Sequence, residues 1–213
     1  MPGSRPLLLV PTALEREVLL RLGGFPALTL ELCGFGPIAA AARAAGLLSE
    51  LRPARVLLLG IAGSFDLGRA PLESAHFFAR IRLEGVWAGQ GAEQRSAGAL
   101  GFPHWRDERG PIGDELELGA GAAELLTVCA AAASRAEAEE RRARHPAALA
   151  EDMEGFGVAL ACRLAGVELH VVRGISNRAG ERDRQTWRVE GALRAARALA
   201  LEHLARLTRG LPA

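Results

Sequence analysis

The stretch HVVRGISNRAGERDRQTW, residues 170–187, decides how this chain folds. An apolar run ends abruptly in Arg173, Gly174, Ser176 and Asn177, and a dense charged loop follows. Continuous apolar character is what a strand covered on both faces requires. RVLLLGI (55–61) and PLLLV (6–10) have the same character, and ALTLELC (27–33) alternates as a half-buried strand does. Between them lie helical patterns: TALEREVLLRLG ending at Gly23, and FGPIAAAARAAGLLSEL with Pro37 near its first turn. AEDMEGFGVALACRLAG reads as a helix burying Val158, Ala161 and Cys162, and VEGALRAARALALEHLARLTRG as a closing amphipathic helix. Residues 85–118 are glycine-rich and weakly periodic, and are expected to be loops with short strands. Strands alternating with helices mean a layered α/β fold. No repeat or linker interrupts it, so a single domain over residues 1–213 is expected.

Composition narrows the chemistry. The chain has 213 residues, 49% of them hydrophobic, enough for a sizeable core. Formal net charge is +1, so bulk electrostatics favours neither a nucleic-acid nor a membrane partner. There is no lysine, which removes Schiff-base, pyridoxal-phosphate and Walker-A chemistry together. Cys33, Cys129 and Cys162 are widely spaced, so neither a disulfide frame nor a zinc site is indicated, and each reads as a small core residue. The scattered histidines suggest no metal, and no cofactor is expected. Arg141, Arg142 and Arg144 sit among glutamates and read as a solvated helix face. The four-residue apolar run before Pro11 is too short for a signal peptide, and no segment reaches membrane-helix length, so the cytoplasm is the expected compartment.

In open α/β folds ligands sit beyond the carboxyl ends of the strands. Three such ends carry reactive side chains, in PTALERE, GIAGSFD and RGISN, and EDMEG forms a fourth group at a helix start. Glu17, Ala62, Gly63, Glu154, Arg173, Ser176 and Asn177 are therefore expected to converge on one cleft. Each has a plainer reading. Glu15, Glu17 and Glu154 suit the first turn of a helix, Arg173 a strand end, Asn177 a turn, and Gly60 and Gly63 a tight bend. A competing motif is Gly34-x-Gly36-x-x-Ala39, which satisfies a loose dinucleotide fingerprint. Its partner acid is missing, because the next strand ends in Leu59-Gly60-Ile61.

Taken in order, A-L-E-R-E-V, G-F-G-P-I-A-A-A, G-I-A-G-S, E-D-M-E-G and V-V-R-G-I-S-N resemble the nucleoside phosphorylase/nucleosidase superfamily. The general pattern is similar to the 5′-methylthioadenosine/S-adenosylhomocysteine nucleosidases. D-M-E-G-F, R-G-I-S-N-R-A-G-E-R-D-R and Trp187 look more like the futalosine hydrolases, which release hypoxanthine from futalosine in a menaquinone pathway. The resemblance spans residues 6–205 and is weakest between 65 and 145. It implies a three-layer α/β sandwich around a central mixed sheet, a small-molecule nucleoside substrate and a homodimer or larger homo-oligomer.

It also implies roles. Glu17 matches the water-activating glutamate, and Arg173 would order the water or hold that glutamate ionised. Glu154 would accept from the ribose hydroxyls and stabilise the ribosyl cation, with Met153 under the sugar. Ala62 and Gly63 would line the base and water pocket, Ser176 would orient Asn177, and Phe156 is a candidate for an apolar slot. Futalosine carries a 5′ arm ending in a benzoate. Phe102, Trp105 and Trp187 are further aromatic candidates for that arm, Arg178, Arg182 or Arg184 could meet its carboxylate, and His104 could line the pocket.

Two positions depart from the nucleosidases: Ile61 stands where they have serine, and Asn177 where the adenosine-type enzymes have aspartic acid. An amide cannot deliver a proton to N7. It can donate N–H to a 6-oxo group while its carbonyl accepts from a protonated N7, which suits hypoxanthine or guanine. Glu15 and Glu17 near the first strand would repel a phosphate dianion, so water is the expected nucleophile. A phosphate-dependent phosphorylase, an adenosine-type nucleosidase and a non-catalytic purine-binding protein remain the alternatives.

Overall fold

The computed structural model describes residues 5–89 and 91–209. Its first half runs β1 (Leu7–Val10), α1 (Ala13–Arg21), β2 (Thr29–Leu32), α2 (Pro37–Leu51), β3 (Arg55–Ser64) and β4 (Ala75–Glu84). Two small antiparallel pairs follow, β5 (Trp87–Ala88) with β6 (Arg95–Ser96), and β7 (Trp105–Asp107) with β8 (Gly110–Ile112). The chain continues through β9 (Glu115–Glu117), β10 (Ala123–Val128), α3 (Arg135–Arg144), β11 (Ala148–Asp152), α4 (Gly155–Ala165), β12 (Glu168–Arg178) and α5 (Val189–Thr208).

The main sheet has the order β11-β10-β4-β12-β3-β1-β2, with β9 added on β4. It is mixed: β3 is parallel to β1 and β12, whereas β12 and β4 are antiparallel. The far end of β3 also pairs antiparallel with β11, Gly63 opposite Glu151. That pairing closes β3, β12, β4, β10 and β11 into a ring, so side chains far apart in sequence meet at one rim.

Period-two alternation explains the double-sided core. Leu7, Leu9, Val56 and Leu58 pack with α2 and α4, and Leu8, Val10, Leu57 and Leu59 pack with α1 and α5. The α2–α4 contact is close because Gly157 has no side chain; a Cβ there would lie 2.2 Å from the Pro37 carbonyl oxygen.

Four expectations are corrected. The helix expected from residue 150 starts at Gly155, because Ala148–Asp152 pairs as β11. The strand expected over 55–61 continues to Ser64, pinned by its contacts with β12 and β11. Cys33 and Cys162 are buried, but Cys129 is exposed. Arg141 is not solvated: it is buried, donating to Glu84 Oε1 at 3.0 Å, Glu151 Oε2 at 2.5 Å and the Ala130 carbonyl at 3.1 Å.

Candidate active site

The polar ends of β1, β3, β11 and β12 surround a cleft of about 380 Å³. The first strand gives way to α1 through a capping box. Thr12 caps the helix, and Glu15, three residues on, returns its Oε2 to the Thr12 amide at 3.1 Å and hydroxyl at 2.6 Å. This turns the Glu15 side chain toward β3, where Oε1 accepts from the Ile61 amide at 3.0 Å. Glu15 is buried and lines the cleft. Burial pushes its carboxyl up, against the opposing pull of Thr12, the Arg173 charge and the Ile61 amide.

Glu17, the expected water-activating residue, is exposed and lies outside the cleft. The reason is helical phase. Val18 and Leu19 define the buried face of α1, and the residue three or four positions before them on that face is Glu15. Two residues on, Glu17 points to the other side of the helix.

Arg173, in the middle of β12, is fully buried. Its Nε and Nη2 donate to Asp152 Oδ2 at 3.0 and 2.5 Å, and Nη2 lies 3.6 Å from Glu154 Oε2. Burial opposes the guanidinium charge, but Asp152, Glu154 and Glu15 more than compensate, so its pKa is raised. Among the described residues, Nη1 has no hydrogen-bond partner. It lies over Gly60, where an added Cβ would stand 2.1 Å from Nη1 and 2.8 Å from Glu15 Oε1. Gly60 thus provides the space in which a cationic donor and a buried carboxylate come together.

Glu154 follows β11 and precedes α4. Its Oε1 accepts from the Gly36 amide at 3.1 Å, at the start of α2. This contact answers the dinucleotide reading: the helix N-terminus after Gly34-x-Gly36 already receives a carboxylate of the same chain. Burial pushes Glu154 up to about 7, with Asp152 and Glu15 adding to the rise and Arg173 and the Gly36 amide opposing it. Met153 lines the cleft and rests on the cluster of Leu126, Val128 and Ala148.

On the other strand end the register of β12 against β3 slips between Ile175 and Asn177, a bulge that leaves Ser176 without a partner on β3. The bulge lets Ser176 and Asn177 both line the cleft with Ala62 and Gly63. Ser176 Oγ donates to Asn177 Oδ1 at 2.7 Å, and Asn177 Nδ2 donates to the Arg178 carbonyl at 2.8 Å. One amide hydrogen and one lone pair of Asn177 are left over.

Phe156 is not in the cleft: it is buried in the core with its ring 5.5 Å from that of His104, which bonds Asp114 at 2.8 Å. Phe102, Trp105 and Arg178 also lie outside the cleft lining, as does the fully buried Arg173, which stands behind Asp152 and Glu154; Trp187, Arg182 and Arg184 are part of it. Two residues to which the sequence reading gave no site role belong to the site, Glu15 and Asp152. The T-x-x-E pattern and the Val18–Leu19 face were signals for Glu15; Asp152 carried no local signal, because its partner Arg173 is 21 residues away. Among the described residues, no group of three or more His, Cys, Asp or Glu is placed to hold a metal ion.

Comparison with known proteins agrees with the motif reading. Residues 118–211 match the family model of the Phosphorylase superfamily. The futalosine hydrolase of Acidothermus cellulolyticus is 49% identical over 70 residues, 33% of this chain and 29% of that protein. That of Streptomyces coelicolor is 48% identical over 71 residues, 33% of this chain and 30% of that protein. These matches thus span less than a third of the curated relatives' length. A 5′-methylthioadenosine/S-adenosylhomocysteine nucleosidase from Colwellia psychrerythraea, solved with adenine, superposes with a TM-score of 0.76 at 18% identity, over 96% of each chain. The futalosine hydrolase of Helicobacter pylori gives 0.75 at 15% identity, over 95% of this chain and 98% of that one. At such identities the likeness is one of fold: a mixed sheet flanked by helices.

Proposed function

We propose that the chain is an N-glycosyl hydrolase that cleaves futalosine, releasing hypoxanthine and dehypoxanthine futalosine. The observation that carries this reading is the amide Asn177, oriented by Ser176, in the same cleft as the carboxylates Glu15, Asp152 and Glu154, with Arg173 buried directly behind them. The local identity to two futalosine hydrolases supports the same substrate.

In this mechanism a water molecule enters from the cleft beside Glu15, donating to its carboxylate and accepting from Arg173 Nη1. Burial makes Glu15 a better base than a solvated glutamate, and general-base assistance is worth about 10²–10⁴-fold. As the glycosidic bond breaks, positive charge builds on the ribose. Glu154 accepts from the ribose hydroxyls and stabilises that charge in its ionised form, with Met153 beneath the sugar. As the bond breaks, hypoxanthine N7 takes a proton from solvent water in the cleft; the resulting N7–H donates to Asn177 Oδ1 and the 6-oxo group accepts from Asn177 Nδ2, while Ala62 and Gly63 allow the base close to the backbone.

The 5′ arm would run toward Trp187, with Arg182 or Arg184 meeting its carboxylate. Both arginines are exposed and line the cleft. Assembly into a homodimer or larger homo-oligomer would cover the exposed Leu14, Phe35 and Ile38 of the first helices and the loop between them. We read the chain further as one nucleoside phosphorylase-like domain over residues 1–213. On this reading it is a three-layer sandwich acting in the cytoplasm, in menaquinone biosynthesis.

Base release from futalosine, inosine and methylthioadenosine, followed by chromatography in wild type and Asn177→Asp, tests the reading. Wild type is expected to favour the 6-oxopurines, and Asn177→Asp to shift the preference toward methylthioadenosine. A preference unmoved by the substitution would remove Asn177 from base selection, and wild-type preference for methylthioadenosine would make the chain an adenosine-type nucleosidase.

A further inference from the structure

Three buried carboxylates, Glu15, Asp152 and Glu154, share the single guanidinium of Arg173, and they share it unequally. Asp152 Oδ2 takes both Nε and Nη2, whereas Glu154 is left at 3.6 Å. Asp152 is itself held on every side. Oδ1 accepts from Thr127 Oγ1 at 2.6 Å, Oδ2 also accepts from the Gly155 amide at 2.9 Å, and Thr127 Oγ1 receives the Phe156 amide at 2.8 Å. An arginine gripped through Nε and one terminal nitrogen cannot swing about its long side chain. Nη1, the remaining nitrogen, is thereby fixed over Gly60 with no hydrogen-bond partner among the described residues.

We propose that Asp152 is a positioning residue for the hydrolysis: it aims Arg173 Nη1 at the site of the attacking water and holds the Arg173–Glu154 ion pair at 3.6 Å, short of a direct hydrogen bond. The inference rests on the nucleosidase reading above. Its consequence is electrostatic as well as geometric. A Glu154 in full contact with Arg173 would be a neutralised ion pair, with less charge available to a ribosyl cation. Held apart from it, Glu154 keeps a carboxylate whose charge is offset only in part. The groups facing Glu154 are Arg173 from β12, Asp152 from β11, Glu15 from α1, the Gly36 amide before α2, and the Cys33 thiol after β2. Cys33 is pushed up to about 12 by burial and stays neutral, so Asp152 and Glu15 are the anions that raise Glu154.

The test is the pH dependence of kcat/KM for base release in wild type, Asp152→Asn and Asp152→Glu. Removing the negative charge in Asp152→Asn frees Arg173 for Glu154 and takes away a repelling anion. Both changes favour the ionised form of Glu154, so the acid limb is expected to move to lower pH. kcat is expected to fall by about 10²-fold, as for a misplaced catalytic group. Asp152→Glu keeps the charge but not the reach, so kcat should fall while the limb stays in place. If Asp152→Asn does not fold, Asp152→Glu still decides, because full kcat in that variant contradicts the alignment role. A loss of kcat in Asp152→Asn with the limb unmoved overturns the proposal and leaves Asp152 a merely structural residue. Wild type inactive on every purine nucleoside would instead remove the nucleosidase reading itself.

Discussion

Glu15 and Glu17 differ by two positions on one short helix, and that difference decides which carboxylate can do chemistry. Glu15 is buried against the Ile61 amide and beside the free nitrogen of Arg173, whereas Glu17 faces water. Glu15→Gln keeps the shape and hydrogen-bonding reach of the side chain but removes the base. It is expected to lower kcat by about 10²–10⁴-fold, with nucleoside binding retained by calorimetry. Glu17→Gln is expected to leave kcat within twofold, since exposed side chains away from a site change little. Equal losses in the two variants would mean that α1 docks in another phase. Arg173 and Asn177 were readable as interesting because polar residues interrupt an apolar strand, and Glu154 because it stands in a carboxylate-rich group at a helix start. Glu15 was concealed by its neighbour, since matching A-L-E-R-E-V as a string ignores which face of the helix each residue occupies. Asp152 was concealed by distance, for its role exists only once β11 and β12 come together.

At the scale of elements, the strands with uniformly apolar character were legible, as were the helices with a clear stripe. β4 was not, because AHFFARIRLE mixes two arginines and a histidine into a strand whose faces are half-buried. β10 and β11 were lost in alanine-rich sequence where helix and strand periods compete. Their burial is what makes them strands. α3 was legible as a helix but not in its packing. Arg141 ties it to the ends of β4 and β11 through Glu84 and Glu151. Burial alone would raise the Glu84 carboxyl, yet His145, Arg144 and Arg141 together hold it down to about 2. Glu151 belongs to the cleft wall, so this cluster connects a structural ion pair to the site. Breaking a buried pair by removing one partner costs about 3–5 kcal/mol. Arg141→Ala should therefore lower stability by about that amount in urea unfolding, and lower Tm accordingly. A Tm within a degree of wild type would show that water replaces the arginine without penalty.

At the scale of the whole molecule, the α/β class and the position of the cleft followed from strand ends carrying polar residues. The closure of the sheet did not. The pairing of β3 with β11 depends on Gly63 meeting Glu151 across 88 residues of sequence, and no local pattern encodes it. That closure brings the Glu154 segment against β12, which bears Arg173 and Asn177, and against Glu15 of α1, and so builds one site from distant stretches. On the proposed reading, the site offers a buried carboxylate rather than an anion cradle where the nucleophile must stand, which favours water as the reactant. Hypoxanthine release from futalosine, measured by chromatography in phosphate-free buffer and again with phosphate added, tests this most directly. The account predicts release at the same rate in both. Release that begins only when phosphate is added, with a sugar phosphate as the second product, would contradict it.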